Sequence, residues 1–70
     1  MKIKVNGDII ETTSTTVSSL LEELGIKAER VAVEVNTIIV KKSEYSRFNL
    51  NEGDTVEIVN FVGGGQNDGR

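Results

Sequence analysis

The chain has 70 residues, a net charge of −3 and neither cysteine nor histidine. That length fits one domain, and a domain so small buries only about 60% of the surface its unfolded chain exposes. The composition excludes disulfides, thiolate or imidazole metal sites and the commonest general base, while interleaved charges argue against the clustered basic surface of a nucleic-acid binder.

Lys2-Ile3-Lys4-Val5 and Asp8-Ile9-Ile10-Glu11 flank Asn6-Gly7, a strong hairpin signal. A two-residue loop sets Val5 opposite Asp8, Lys4 opposite Ile9, Ile3 opposite Ile10 and Lys2 opposite Glu11. Ile3, Val5 and Ile10 then form one apolar patch, with Lys2 and Glu11 meeting on the other face. Thr12 to Thr16 suits a connection. Val17, Leu20, Leu21 and Leu24 follow at i, i+3, i+4 and i+7, the stripe of an amphipathic helix of about ten residues. Thr15 or Thr16 can cap its start and Gly25 its end. All four apolar residues are expected in the core, because a helix this short must pack on something to persist.

Ile26 to Arg30 reads as a short polar link. In Val31 to Asn36 the valines alternate, placing Val31, Val33 and Val35 on one face. Asn36-Thr37 allows a turn into Ile38-Ile39-Val40. Lys41-Lys42 reads as a solvated edge. Ser43 to Leu50 accommodates one helical turn holding Tyr45 and Phe48, and Asn51-Glu52-Gly53-Asp54 is a turn cluster. Thr55 to Phe61 reads as the last strand, with Val56 and Ile58 on one face. Val59 and Phe61 fall on the other, where some apolar surface is expected to be exposed.

The element order β-β-α-β-β-β predicts an α+β domain: a mixed sheet of four to five strands with one helix packed across one face. That is the ubiquitin-like β-grasp. The domain is expected over residues 1–61. Residues 62–70, Val62-Gly63-Gly64-Gly65-Gln66-Asn67-Asp68-Gly69-Arg70, include four glycines and no apolar residue after Val62. Such a segment has little surface to bury against its ordering cost, so a flexible tail is expected. Extended, Val62 to Gly65 would reach about 14 Å at roughly 3.3–3.6 Å per residue.

The ordered set of the Asn6-Gly7 hairpin, Thr16-Val17-x-x-Leu20-Leu21-x-x-Leu24, Val31-Ala32-Val33-Glu34-Val35-Asn36, and Gly53-Asp54-x-Val56-Glu57-Ile58-Val59 running into Phe61-Val62-Gly63-Gly64-Gly65 resembles the ThiS sulfur carriers of thiamine biosynthesis. The likeness covers residues 1–65. It implies that the carboxylate of Gly65 is adenylated with ATP by a ubiquitin-activating-type (ThiF-like) adenylyltransferase and converted to a thiocarboxylate. The sulfur then passes to a ThiG-like thiazole synthase. Val62, Gly63 and Gly64 would be presented to these partners, and Val59 and Phe61 are candidate docking residues. The chain itself would bind no cofactor or metal; ATP and magnesium would belong to the activating partner. One feature departs from the pattern: Gln66 follows Gly65, so either a tail-trimming protease removes residues 66–70 or the chain is inactive as written, a third option being Arg70 as the functional end.

Two other functions compete. One is a β-grasp sulfur carrier for another pathway, serving molybdopterin, cysteine or a siderophore. The other is a non-catalytic ubiquitin-like interaction module. An enzyme reading has the least support, because no carboxylate pair is spaced to suggest a site. Three aromatics, Tyr45, Phe48 and Phe61, make a base-stacking platform unexpected. No apolar run approaches the roughly 20 residues of a membrane span and no signal peptide opens the sequence, so a cytoplasmic location with no membrane partner is expected.

Overall fold

Asn6 and Gly7 both take positive φ, 49° and 90°, the backbone that a two-residue hairpin loop requires. They close β1 (Lys2–Val5) on β2 (Asp8–Glu11) in the expected register, Lys2 opposite Glu11 through Val5 opposite Asp8. The electrostatic detail differs. Glu11 Oε2 pairs with the Met1 ammonium at 3.1 Å rather than with Lys2. The computed structural model describes residues 1–61; the expected tail, 62–70, lies outside the described residues.

The helix, α1, runs from Val17 to Glu23. Thr16 is its cap: the Thr16 hydroxyl accepts from the Ser19 amide, and the Ser19 hydroxyl accepts from the Thr16 amide, both at 3.1 Å. At the other end Gly25 adopts φ +72°. The Gly25 amide donates to the Glu22 carbonyl at 3.1 Å and the Ile26 amide to the Leu21 carbonyl at 2.9 Å. This pair of bonds is a Schellman turn, which satisfies carbonyls the helix end leaves open. The helix is therefore seven residues rather than about ten. Leu24 becomes the cap residue and is 38% exposed instead of buried. Ile26, turned back by Gly25, packs against the core, and so does Ala28. The link over 26–30 is thus less polar in its contacts than in its sequence, and it contains a 3-10 turn over Ala28–Arg30.

Val31–Val35 forms β3 and Ile38–Val40 forms β4, with Asn36 and Thr37 at φ 51° and 72° between them. A 3-10 turn follows at Lys42–Glu44, one residue earlier than the expected segment, and Tyr45 behind it is buried with its hydroxyl donating to the Val31 carbonyl at 3.2 Å. Burial raises the Tyr45 phenol above its ordinary pKa. β5 (Thr55–Asn60) completes a five-stranded sheet in the order β2-β1-β5-β3-β4. β5 runs parallel to β1 and antiparallel to β3.

Both hairpin asparagines hold β5. Asn6 accepts from the Ile58 amide at 2.7 Å and donates to the Ile58 carbonyl at 3.1 Å. Asn36 accepts from the Thr55 amide and donates to the Asp54 carboxylate, each at 2.9 Å. The side chains of Val17, Leu20 and Leu21 on α1 join Ile3, Val31, Val33, Val35 and Val56 from one face of the sheet in a single buried cluster. Each such side chain contributes on the order of 1.5–3 kcal/mol by leaving water. The architecture is the ubiquitin-like β-grasp expected from the element order, with the chain leaving the sheet at the end of its third-ranked strand, β5.

Candidate functional site

The candidate site is the end of β5 and the sheet face on which it lies. On β5 the inward residues are consumed by the core: Val56 is fully buried and Ile58 packs against the cluster. The alternation leaves Val59 and Phe61 outside, at 59% and 52% exposure. Exposed apolar surface at these two positions is what the sequence pattern leads one to expect. Ala32 on β3 lies directly opposite Val59, and Glu34 directly opposite Glu57 on one side and Ile39 on the other.

Phe61 is held as the strand ends. Its amide donates to the Arg30 carbonyl at 3.1 Å. The Lys42 ammonium sits 4.4 Å from the centre of its ring and donates to the Val31 carbonyl at 3.3 Å. Lys42 is exposed, as a solvated edge should be, but its ammonium is engaged. It forms a cation–π contact that, at a partly exposed site, is worth about 0.5–1 kcal/mol. Nothing local in the sequence joins Lys42 to Phe61; the contact exists because β5 runs alongside β3, whose carbonyl Lys42 also grips.

An open depression of about 250 Å³ lies beside Val59, lined by Ala32, Val33, Glu34, Ile39, Glu57 and Val59. It is smaller than the roughly 300–1,000 Å³ of ordinary small-molecule pockets. No group of three or more metal-ligating side chains occurs among the described residues. The geometry suits contact with another surface rather than enclosure of a small substrate. Val62, Gly63, Gly64 and Gly65, the expected presented tail and modification site, lie outside the described residues.

The model of the ThiS family matches residues 3–65, from β1 through the triple glycine. The chain belongs to the ThiS family. A solved relative, the thiamine biosynthesis protein (ThiS) of Geobacter metallireducens, superposes with a TM-score of 0.79 at 32% identity, over 93% of this chain and 100% of that one. The sulfur carrier protein ThiS of Bacillus subtilis is 40% identical over 50 residues, which cover 71% of this chain and 76% of that protein. A thiazole synthase of Paramagnetospirillum magneticum is 48% identical over 66 residues, which cover 93% of this chain and 20% of that protein. The chain thus spans about a fifth of that relative's length. Among the described residues no helix is long and apolar enough to cross a membrane.

One side-chain cluster escaped the sequence reading. Thr12 and Ser14, both buried, donate their hydroxyls to Glu23 Oε1, Ser14 at 2.6 Å. These bonds, Ser14 first and Thr12 second, lower the Glu23 pKa below its ordinary value. They fasten the last turn of α1 to the loop after β2. The role is structural, and the only sequence signal for it was the density of hydroxyls over 12–16.

Proposed function

We propose that the chain carries sulfur for thiazole formation in thiamine biosynthesis. The observation that supports this best is the family match through Gly65, which takes in the folded body and the Gly63-Gly64-Gly65 run together. The resemblance to a thiazole synthase favours thiazole formation over molybdopterin, cysteine or siderophore pathways.

In this reading the peptide bond between Gly65 and Gln66 is first hydrolysed by a protease, freeing the Gly65 carboxylate. A carboxylate is a poor acyl donor. One of its oxygens attacks the α-phosphorus of ATP on a ThiF-like adenylyltransferase, which holds the magnesium, and pyrophosphate leaves. The acyl-adenylate now has a good leaving group. A sulfide equivalent adds to the Gly65 carbonyl carbon and AMP departs with the oxygen that had joined it, leaving a thiocarboxylate. A ThiG-like thiazole synthase receives that sulfur. Gly63 and Gly64 lack side chains, so a narrow active-site channel can admit them, while the exposed face around Val59 and Phe61 docks outside. The chain acts as carrier, and the catalytic groups belong to its partners.

The test is intact mass spectrometry of the chain ending at Gly65, incubated with the adenylyltransferase, ATP and a sulfide donor. The expected product has one oxygen replaced by sulfur. No such gain with a partner that loads a known ThiS would reject the reading. Equal gain by the chain carrying residues 66–70 intact would reject the trimming step alone.

A further inference from the structure

The outer face of β4, β3 and β5 is apolar, exposed and interrupted by charge of one sign. Ala32 and Val59 form one cross-strand row; Ile39, Glu34 and Glu57 form the next. Ile39 is 72% exposed. Glu34 and Glu57 are directly opposed, so their Cβ atoms lie about 4.5–5.5 Å apart, where like charges destabilise a sheet. Neither carboxylate has a hydrogen bond or ion pair among the described residues. A lysine in either place would gain a cross-strand ion pair, so this sheet carries a cost that its own fold does not relieve.

We propose that this face receives a protein surface bearing an arginine ringed by apolar residues, its guanidinium set between the Glu34 and Glu57 carboxylates. The inference rests on the carrier reading and specifies the chemistry of the partner that this face meets. A guanidinium offers five donors in a plane and can serve two carboxylates at once. Apolar contact from Ala32, Ile39 and Val59 excludes water around those bonds, which strengthens them. A second copy of this chain is the wrong occupant, because two such faces together would bring four carboxylates into one dry interface. Phe61, two residues beyond Val59, places the docked surface at the end of β5.

The test is titration calorimetry of the chain ending at Gly65 against the adenylyltransferase and the thiazole synthase of the same organism, at low and high salt. The Glu34→Gln/Glu57→Gln double variant is expected to bind at least one of them about tenfold more weakly and with a flatter salt dependence. Its unfolding midpoint rises, because the repulsion is gone; a purely structural role would move stability and binding together. Val59→Ser weakens binding with the salt dependence kept. Unchanged affinity and salt dependence in the double variant overturn the proposal, as does a wild-type dimer that Val59→Ser abolishes in sedimentation. Sulfur loading of the same wild-type sample separates the two readings. If it loads and the double variant binds normally, only this inference fails; if neither protein binds or loads the wild-type chain, both fall.

Discussion

Glu23 concentrates at one residue the fold's dependence on local polar chemistry. Its carboxylate accepts from Ser14 and Thr12, and these bonds exist only with the ionised form at full strength. The folded-state pKa is lowered from the ordinary value of 4.5. A depressed carboxylate contributes stability above its unfolded pKa, and that contribution drains away as pH falls through the folded value. The window is therefore the acid side of 4.5. Glu44 titrates in the same direction, lowered first by the hydrogen bond from Arg47, but it is common to wild type and variant and cancels in a comparison. Glu23→Gln is expected to lower the unfolding midpoint near neutral pH and to show a shallower loss as pH falls below 4.5, so that the two curves converge in acid. Parallel melting curves across that range would show that the Thr12–Ser14–Glu23 cluster does not couple protonation to folding.

The turns decide how much of each element could be read from sequence. Asn6-Gly7 pins the first hairpin because Gly7 takes φ 90° without cost, and the register and faces of β1 and β2 follow. The second hairpin uses the same backbone with Thr37 at φ 72°, where a β-branched residue is strained. It persists because Asn36 bonds Thr55 and Asp54, a long-range compensation no local pattern announces. Thr37→Gly should relieve that strain and stabilise the protein by about 1 kcal/mol, read as a higher denaturant midpoint with an unchanged slope. A loss of stability would mean that Thr37 supports the turn by contacts of its own. The same distinction explains the other differences. The stripe of α1 was legible, but Leu24 left it because the Schellman turn at Gly25 folded Ile26 inward instead. The outward pair Val59 and Phe61 was legible from alternation alone. Lys42 over Phe61 was not, since it joins residues brought together only by the pairing of β5 with β3.

At the scale of the molecule, the arrangement separates what folds from what is proposed to react. Among the described residues the buried apolar cluster begins at Ile3 and ends at Val56, and the partly buried side chains around it extend no further than Ile58. The last backbone bond that ties the strand down, among the described residues, is from the Phe61 amide to the Arg30 carbonyl. Stability should therefore be complete at residue 61. A chain ending at Phe61 is expected to unfold within about 0.5 kcal/mol of the longer one, the usual range for changes away from core and caps, while accepting no sulfur. Ending the chain at Ile58 instead removes the Val59 and Asn60 pairings with β3 and the Lys42–Phe61 contact, and the midpoint should fall clearly. Gly64→Ala, by the same logic, should leave unfolding unchanged and slow sulfur loading, because a methyl group would obstruct the narrow channel proposed for the activating partner. Equilibrium unfolding of the three variants beside the loading assay checks the division directly. A marked loss of stability on removing residues 62–70 would show that the segment belongs to the folded body, and a carrier whose reactive end is bound up in its own fold could not hand that end to an enzyme.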